Sequence, residues 1–250
     1  MLGLVNQGVT VTNPPNPAVG RRWLLGISAS AAGAIALSAC DKPQPKAAAP
    51  GLPAEDEVPV TPPEDLMREH GVLKRVLLIY REGIRRLQGS EQLPADALNA
   101  GAAIIRSFIE DYHEQLEEQH VFPKLEQAGK LTDVTSVLRT QHARGRVLTD
   151  RVVAATSAGT ALDLAKREAL AQDMSAFIRM YEPHEAREDT VVFPKLRQVV
   201  PAKEFRDMAD IFEDEEHRRF GRAGFEGVVD KVADIEKSLG IYDLSQFTPT

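Results

Sequence analysis

Two thirteen-residue stretches repeat one pattern 71 residues apart: HEQLEEQHVFPKL from His113 to Leu125, and HEAREDTVVFPKL from His184 to Leu196. Each reads H-E-x-x-E, then an acidic residue, then V-F-P-K-L after a short spacer. A duplicated helix explains the apolar end, because Phe and Leu at such spacing pack a core. It does not explain two His/Glu pairs. Residues four apart share one helix face, so His113 with Glu117, and His184 with Glu188, each set an imidazole beside a carboxylate.

The rest of the repeat is a helix bearing a lone histidine. Thr61-Pro62-Pro63-Glu64 is a helix start, with Thr as N-cap, Pro at the first helical position and Glu placed for a capping box. The stripe that follows runs Leu66, His70, Leu73, Leu77, Tyr80, Ile84, Leu87, so one position of an apolar face is histidine. A second helix is expected over about 95–128, a third over about 131–157 carrying Leu138, His142, Gly145 and Val152, and a fourth over about 165–198. His70 and His142 are 72 residues apart, so the repeating unit is a helical hairpin. Two such hairpins predict an all-α fold, an antiparallel four-helix bundle over 63–200, with ligands converging across a pseudo-twofold axis. Pro123 and Pro194 are expected to bend or end the two HExxE helices. One additional helix, about 203–238, is expected within a C-terminal segment of 201–250.

Most histidines in apolar stripes are hydrogen-bonded core residues. Here four occupy corresponding positions and two bring carboxylates inside with them. Burying an unpaired carboxylate costs several kcal/mol, which coordination to a cation removes. The pattern therefore points to metal, with His70, His113, Glu117, His142, His184 and Glu188 as ligands. The chain has one cysteine, so thiolate sites and disulfide frameworks are excluded, and nitrogen and oxygen ligands suit iron, manganese or zinc. The net charge of −7 argues against a nucleic-acid partner.

The order H…HExxE…H…HExxE resembles the hemerythrin-like (HHE) family over roughly 64–200. That resemblance implies a non-haem centre of two iron ions, joined by an oxo or hydroxo bridge. It implies four terminal histidines and bridging by Glu117 and Glu188. The invertebrate oxygen carriers of the family have HxxxH on the third helix, whereas His142 is followed four residues later by Arg146. Their last pair is HxxxxD rather than HxxxE. Counted over two octahedral ions, the six residues and one bridge leave about two positions open. Glu114 and Glu185 are candidates to fill one, with an ion pair as the alternative. His120 lies one turn further along the ligand face, with Val191 as its repeat partner, and is a candidate for a supporting role or ligation. His217, in EDEEHRRFG, reads as a solvated face, and Tyr112 and Tyr181 as neighbours of the site. The ferritin-like carboxylate bundle places Glu-x-x-His on two helices and is excluded by order and by the balance of histidine to glutamate.

The small ligand implied is dioxygen, nitric oxide or peroxide, either bound or consumed, with a separate redox or signalling partner. A metal-free structural lipoprotein is the remaining alternative.

The first forty residues read as an address. Arg21-Arg22 precedes an apolar run too short to span a bilayer comfortably, and resembles a twin-arginine export signal. Leu37-Ser38-Ala39-Cys40 resembles a lipobox, in which residues 1–39 are removed and Cys40 is lipidated. An ordinary cleaved signal is the alternative. Asp41 resembles the signal that retains lipoproteins at the inner membrane, placing the domain on its periplasmic face. Residues 40–62 form a proline-rich tether. Twin-arginine export carries folded proteins with cofactor already inserted, which suits a metal domain. Replacing Arg21 and Arg22 together by Lys is expected to trap the protein in the cytoplasm, and Cys40→Ser to leave an unlipidated precursor. Fractionation and a lipid label read both outcomes, and efficient export of the double variant contradicts the assignment.

Overall fold

The computed structural model describes residues 60–89, 91–160 and 162–249. The twin arginine, Cys40 and nearly all of the tether lie outside them. Among the described residues all regular structure is helical, and no helix is long and apolar enough to cross a membrane.

Helix α1 spans Pro62–Gln88 and starts as its sequence requires. The Glu64 carboxylate accepts hydrogen bonds from the Thr61 backbone N–H (2.9 Å) and hydroxyl (2.7 Å), and the prolines occupy positions whose N–H would have no partner in the helix. Its expected stripe is inside, with Leu66, His70, Leu73, Leu77, Tyr80 and Leu87 buried and Ile84 half-buried. Helix α2 runs from Ala95 to Gln127, α3 spans Thr132–Thr156, and α4 runs from Leu164 to Val199. Helix α1 packs on α2 and α4, and α3 packs on the same two, which closes the ring of an antiparallel four-helix bundle.

Neither Pro123 nor Pro194 ends its helix. Each follows a π-helical turn, Glu117–Val121 in α2 and Glu188–Val192 in α4. Within these turns the N–H of Phe122 donates to the Glu117 carbonyl and that of Phe193 to the Glu188 carbonyl, five residues back. The widened turn absorbs a residue that can neither donate nor tolerate the carbonyl four positions before it. A longer π segment, Ile105–His113, precedes the first HExxE. The helices therefore continue, and their F-P-K-L segments meet at one end of the bundle.

The single expected C-terminal helix is instead two, α5 (Ala202–Phe220) and α6 (Gly224–Leu239). Gly221 and Gly224 have φ of +64° and +45°, values that cost an L side chain energy, and the short 3-10 turn between the helices reverses the chain. Apolar periodicity continues on both sides of the turn, so the pattern alone reads as one helix. The α6 helix lies against α1 and α2, burying Val228, Val232 and Leu239. Arg75 of α1 grips Glu236 of α6 with two hydrogen bonds, at 3.0 and 2.6 Å.

A Cβ on residue 224 would sit 2.2 Å from the Glu216 carboxylate at its positive φ. Gly224→Ala is expected to lower the unfolding free energy by about 1–2 kcal/mol, read as a lower denaturation midpoint. An unchanged midpoint contradicts the account of the turn.

Candidate metal centre

The six expected ligands come together. His70, His113 and Glu117 form one group of convergent ligand atoms, and His142, His184 and Glu188 another, each within 4.8 Å. All six side chains are essentially inaccessible to solvent. The two groups interlock through their carboxylates. Glu117 Oε2 lies 3.7 Å from His113 Nε2 and 3.5 Å from His142 Nε2. Glu188 Oε2 lies 3.2 Å from His184 Nε2 and 3.4 Å from His70 Nε2. Each carboxylate thus stands between histidines of both hairpins.

Every imidazole is held from behind by its other nitrogen. His70 Nδ1 is 2.7 Å from Asp189 Oδ1, His113 Nδ1 is 2.7 Å from Glu69 Oε2, His142 Nδ1 is 2.9 Å from Glu118 Oε1, and His184 Nδ1 is 2.8 Å from Gln141 Oε1. An acceptor at Nδ1 places the proton there and turns the Nε2 lone pair inward, the arrangement that orients metal-binding histidines. The symmetry is exact at the level of position. Asp189 and Glu118 each follow an HExxE motif, while Glu69 and Gln141 each precede a lone histidine.

The repeated phenylalanines complete the cradle. Phe193 stacks on His70 with ring centroids 5.7 Å apart, and Phe122 stacks on His142 at the same separation. Each V-F-P-K-L segment therefore walls the histidine of the other hairpin. That is why the motif and its apolar tail are duplicated together.

This donor set fits a cation. Both oxygens of Glu117 and both of Glu188 are buried with no hydrogen-bond partner, a costly state for a carboxylate without positive charge beside it. His142 Nε2 and His184 Nε2 are only 3.2 Å apart, and with both Nδ1 atoms protonated their lone pairs face each other. Protons alone satisfy the site unevenly. Burial and the charges of Glu188 and Glu114 push Glu117 well above the usual carboxylate range. Glu188 is also buried, but His184 and His70 hold it below that range. His70 loses basicity by burial, yet Asp189 and Glu188 raise it to about 10.

The other candidates divide. Glu114 is fully engaged: Tyr181 OH donates to its Oε1 at 2.6 Å, and Arg146 pairs with its Oε2 at 2.8 Å. Glu185 meets Lys74 through Oε2 at 2.5 Å, while its buried Oε1 has no hydrogen-bond partner. His120 is half-buried against Phe212, outside the convergent groups, and helps line a cavity of about 320 Å³ between α2 and α5. His217 is exposed. Tyr112 packs on Phe108 and Phe220.

The sequence reading missed the four Nδ1 acceptors and the role of the phenylalanines. The duplicated acidic residue after each HExxE was the available signal. Asp189→Asn and Glu118→Gln are each expected to weaken metal binding by roughly 10–100-fold, measured by competition with a chelator, while His217→Ala leaves it unchanged. Equal affinities across all three variants contradict the assignment.

The hemerythrin HHE cation binding domain matches the chain at residues 61–196 and again, overlapping, at 133–236. The second match begins 72 residues after the first (133 − 61), the same step that separates His70 from His142. An uncharacterized protein of Mycobacterium bovis and one of Mycobacterium tuberculosis are each 74% identical over 251 residues, covering 99% of this chain and 98% of theirs. No solved structure matches. A duplicated H/HExxE hairpin, a buried nitrogen and oxygen donor set, and a family match over most of the chain lead to one conclusion: this protein belongs to the hemerythrin HHE cation-binding domain family.

Proposed function

We propose that this protein is a non-haem di-iron protein that binds or reacts with a small oxidant, dioxygen, nitric oxide or peroxide, at a membrane surface. The observation that carries the reading is the placement of Glu117 and Glu188, each set between histidines of both hairpins with unpartnered oxygens. The six residues fall into two convergent groups of three donors rather than one. Two ions, sharing the carboxylates, use them all.

Each residue has a definable task. His70, His113, His142 and His184 present Nε2, with their tautomers fixed by Asp189, Glu69, Glu118 and Gln141. Glu117 and Glu188 supply the negative charge that balances the cations. Phe122 and Phe193 cover the His142 and His70 rings and keep bulk water away from them. Bound iron would supply open coordination positions and one-electron redox chemistry to a small ligand. Tyr181, whose ring centroid lies 5.2 Å from that of His184, donates its hydroxyl to Glu114.

A di-iron enzyme that consumes peroxide or reduces nitric oxide is the second reading. Lipidation at Cys40 would tether the domain to the periplasmic face of the membrane, beside a separate redox or signalling partner.

The test is metal analysis of protein matured in iron-replete cells, followed by ultraviolet-visible spectra of the reduced protein exposed in turn to oxygen, nitric oxide and peroxide. About two irons per chain and a stable ligand-dependent spectrum are expected. One tightly held zinc without iron contradicts the di-iron reading, and catalytic disappearance of peroxide or nitric oxide selects the enzyme.

A further inference from the structure

The first glutamate of each H-E-x-x-E motif is paired with a cation from the other hairpin, and the two pairs are related by the internal repeat. Lys74 lies four residues after His70, and Arg146 four residues after His142. Lys74 of α1 holds Glu185 of α4, and Arg146 of α3 holds Glu114 of α2. Both carboxylates are buried, at 0% and 1% exposure, while the lysine is 53% and the arginine 28% exposed. Each cation therefore reaches inward from the bundle surface to a carboxylate adjacent to a ligand histidine.

The two pairs differ in strength. Glu114 takes a hydrogen bond from Tyr181 on Oε1 and an ion pair from Arg146 on Oε2, whereas Lys74 hydrogen-bonds Glu185 on one oxygen alone. Arg146 also reaches Glu118 Oε1 at 2.9 Å, so its guanidinium is fixed by two carboxylates. Tyr181 donates to the second oxygen of Glu114, and it fits only because residue 145 is glycine. A Cβ there would stand 2.1 Å from the Tyr181 hydroxyl. Glu185 has only the lysine. Its other oxygen is buried and unpartnered, and an ammonium on a flexible stem is a point charge without the planar fork of arginine.

We propose that Lys74 and Arg146 are matched latches that hold Glu185 and Glu114 as ion-pair partners beside the metal centre, and that the weaker Lys74–Glu185 latch sets how readily a small external anion gains a coordination position. This rests on the metal-centre reading above. Released from Lys74, Glu185, the residue that follows His184 in the chain, is a buried anion with an unpartnered oxygen. It then competes with an external ligand for the cations. Held by Lys74, it leaves that position open. Lys74 is thus a positioning residue that acts through Glu185, and Arg146 performs the same task on a carboxylate that Tyr181 secures independently.

The test uses the full chain reconstituted with cobalt(II), with azide as the external anion. Metal content, the visible ligand-field absorption and azide affinity are measured for wild type, Lys74→Met, Arg146→Met and the double variant Lys74→Met/Glu185→Gln. Lys74→Met leaves the buried Glu185 without its cation, a cost to stability, so circular dichroism checks that each variant is folded, and the double variant removes the unpaired charge. If released Glu185 occupies the position about nine-tenths of the time, Lys74→Met weakens azide binding about tenfold. Its cobalt absorption also falls, as expected on gain of a ligand. The double variant, lacking the competing carboxylate, recovers wild-type affinity, and Arg146→Met shows a smaller loss than Lys74→Met. Unchanged azide affinity and spectrum in Lys74→Met overturn the latch. So does a double variant as weak as the single one, because Lys74 would then act by its charge alone. Failure of the wild type to take up metal overturns the metal-centre reading beneath it, an outcome separable from the others by the metal content.

Discussion

Two carboxylates, Glu117 and Glu188, lie at zero exposure with no hydrogen-bond partner on any of their four oxygens. That is the constraint around which the rest of the bundle is arranged. A carboxylate placed so, sealed from bulk solvent, sheds its charge or acquires a cation. The four imidazoles turn their inner nitrogens toward this pair, and the outer nitrogens are tied down so that they stay turned. Around this, the phenylalanines of the repeated V-F-P-K-L segments press on the rings of the opposite hairpin. The structure gives up hydrogen bonds in its centre and restores the balance only with positive charge.

The repeat supplies the positions, and small departures from symmetry supply the differences between the two halves. Glu69 and Gln141 do the same work at Nδ1, but only one of them is an acid, and Glu69 is entirely buried. Arg146 and Lys74 do the same work on the first glutamate of each motif, but only Glu114 has a tyrosine as well. Gly145 exists to admit that tyrosine. The two halves of the centre are therefore equivalent in their ligands and unequal in what surrounds them.

Much of this was legible in the chain before its fold was known. The hairpin repeat, the four-helix bundle and the six convergent side chains follow from spacing alone, because a helix turns a four-residue interval into a shared face. What spacing could not show is contact across helices. Glu118 and Asp189 point along α2 and α4 in sequence but serve histidines on α3 and α1. Lys74 is an ordinary exposed-looking lysine until α4 brings Glu185 beside it. The prolines were read as breakers because the propensity of a single residue does not reveal that a π turn precedes it. The C-terminal region was read as one helix because Gly221 and Gly224 interrupt a periodicity that continues beyond them. In each case the deciding partner lies on another element, or in a backbone conformation that the pattern does not encode.

The central claim is that Glu117 and Glu188 are shared between two cations. Anomalous scattering at the iron edge from crystals of the iron-loaded protein tests it most directly. Two peaks about 3.5–4 Å apart are expected, both within bonding distance of Glu117 and Glu188, with His113 and His70 on one ion and His142 and His184 on the other, each through Nε2. A single peak, or two peaks of which either lacks one of the two carboxylates, contradicts the account.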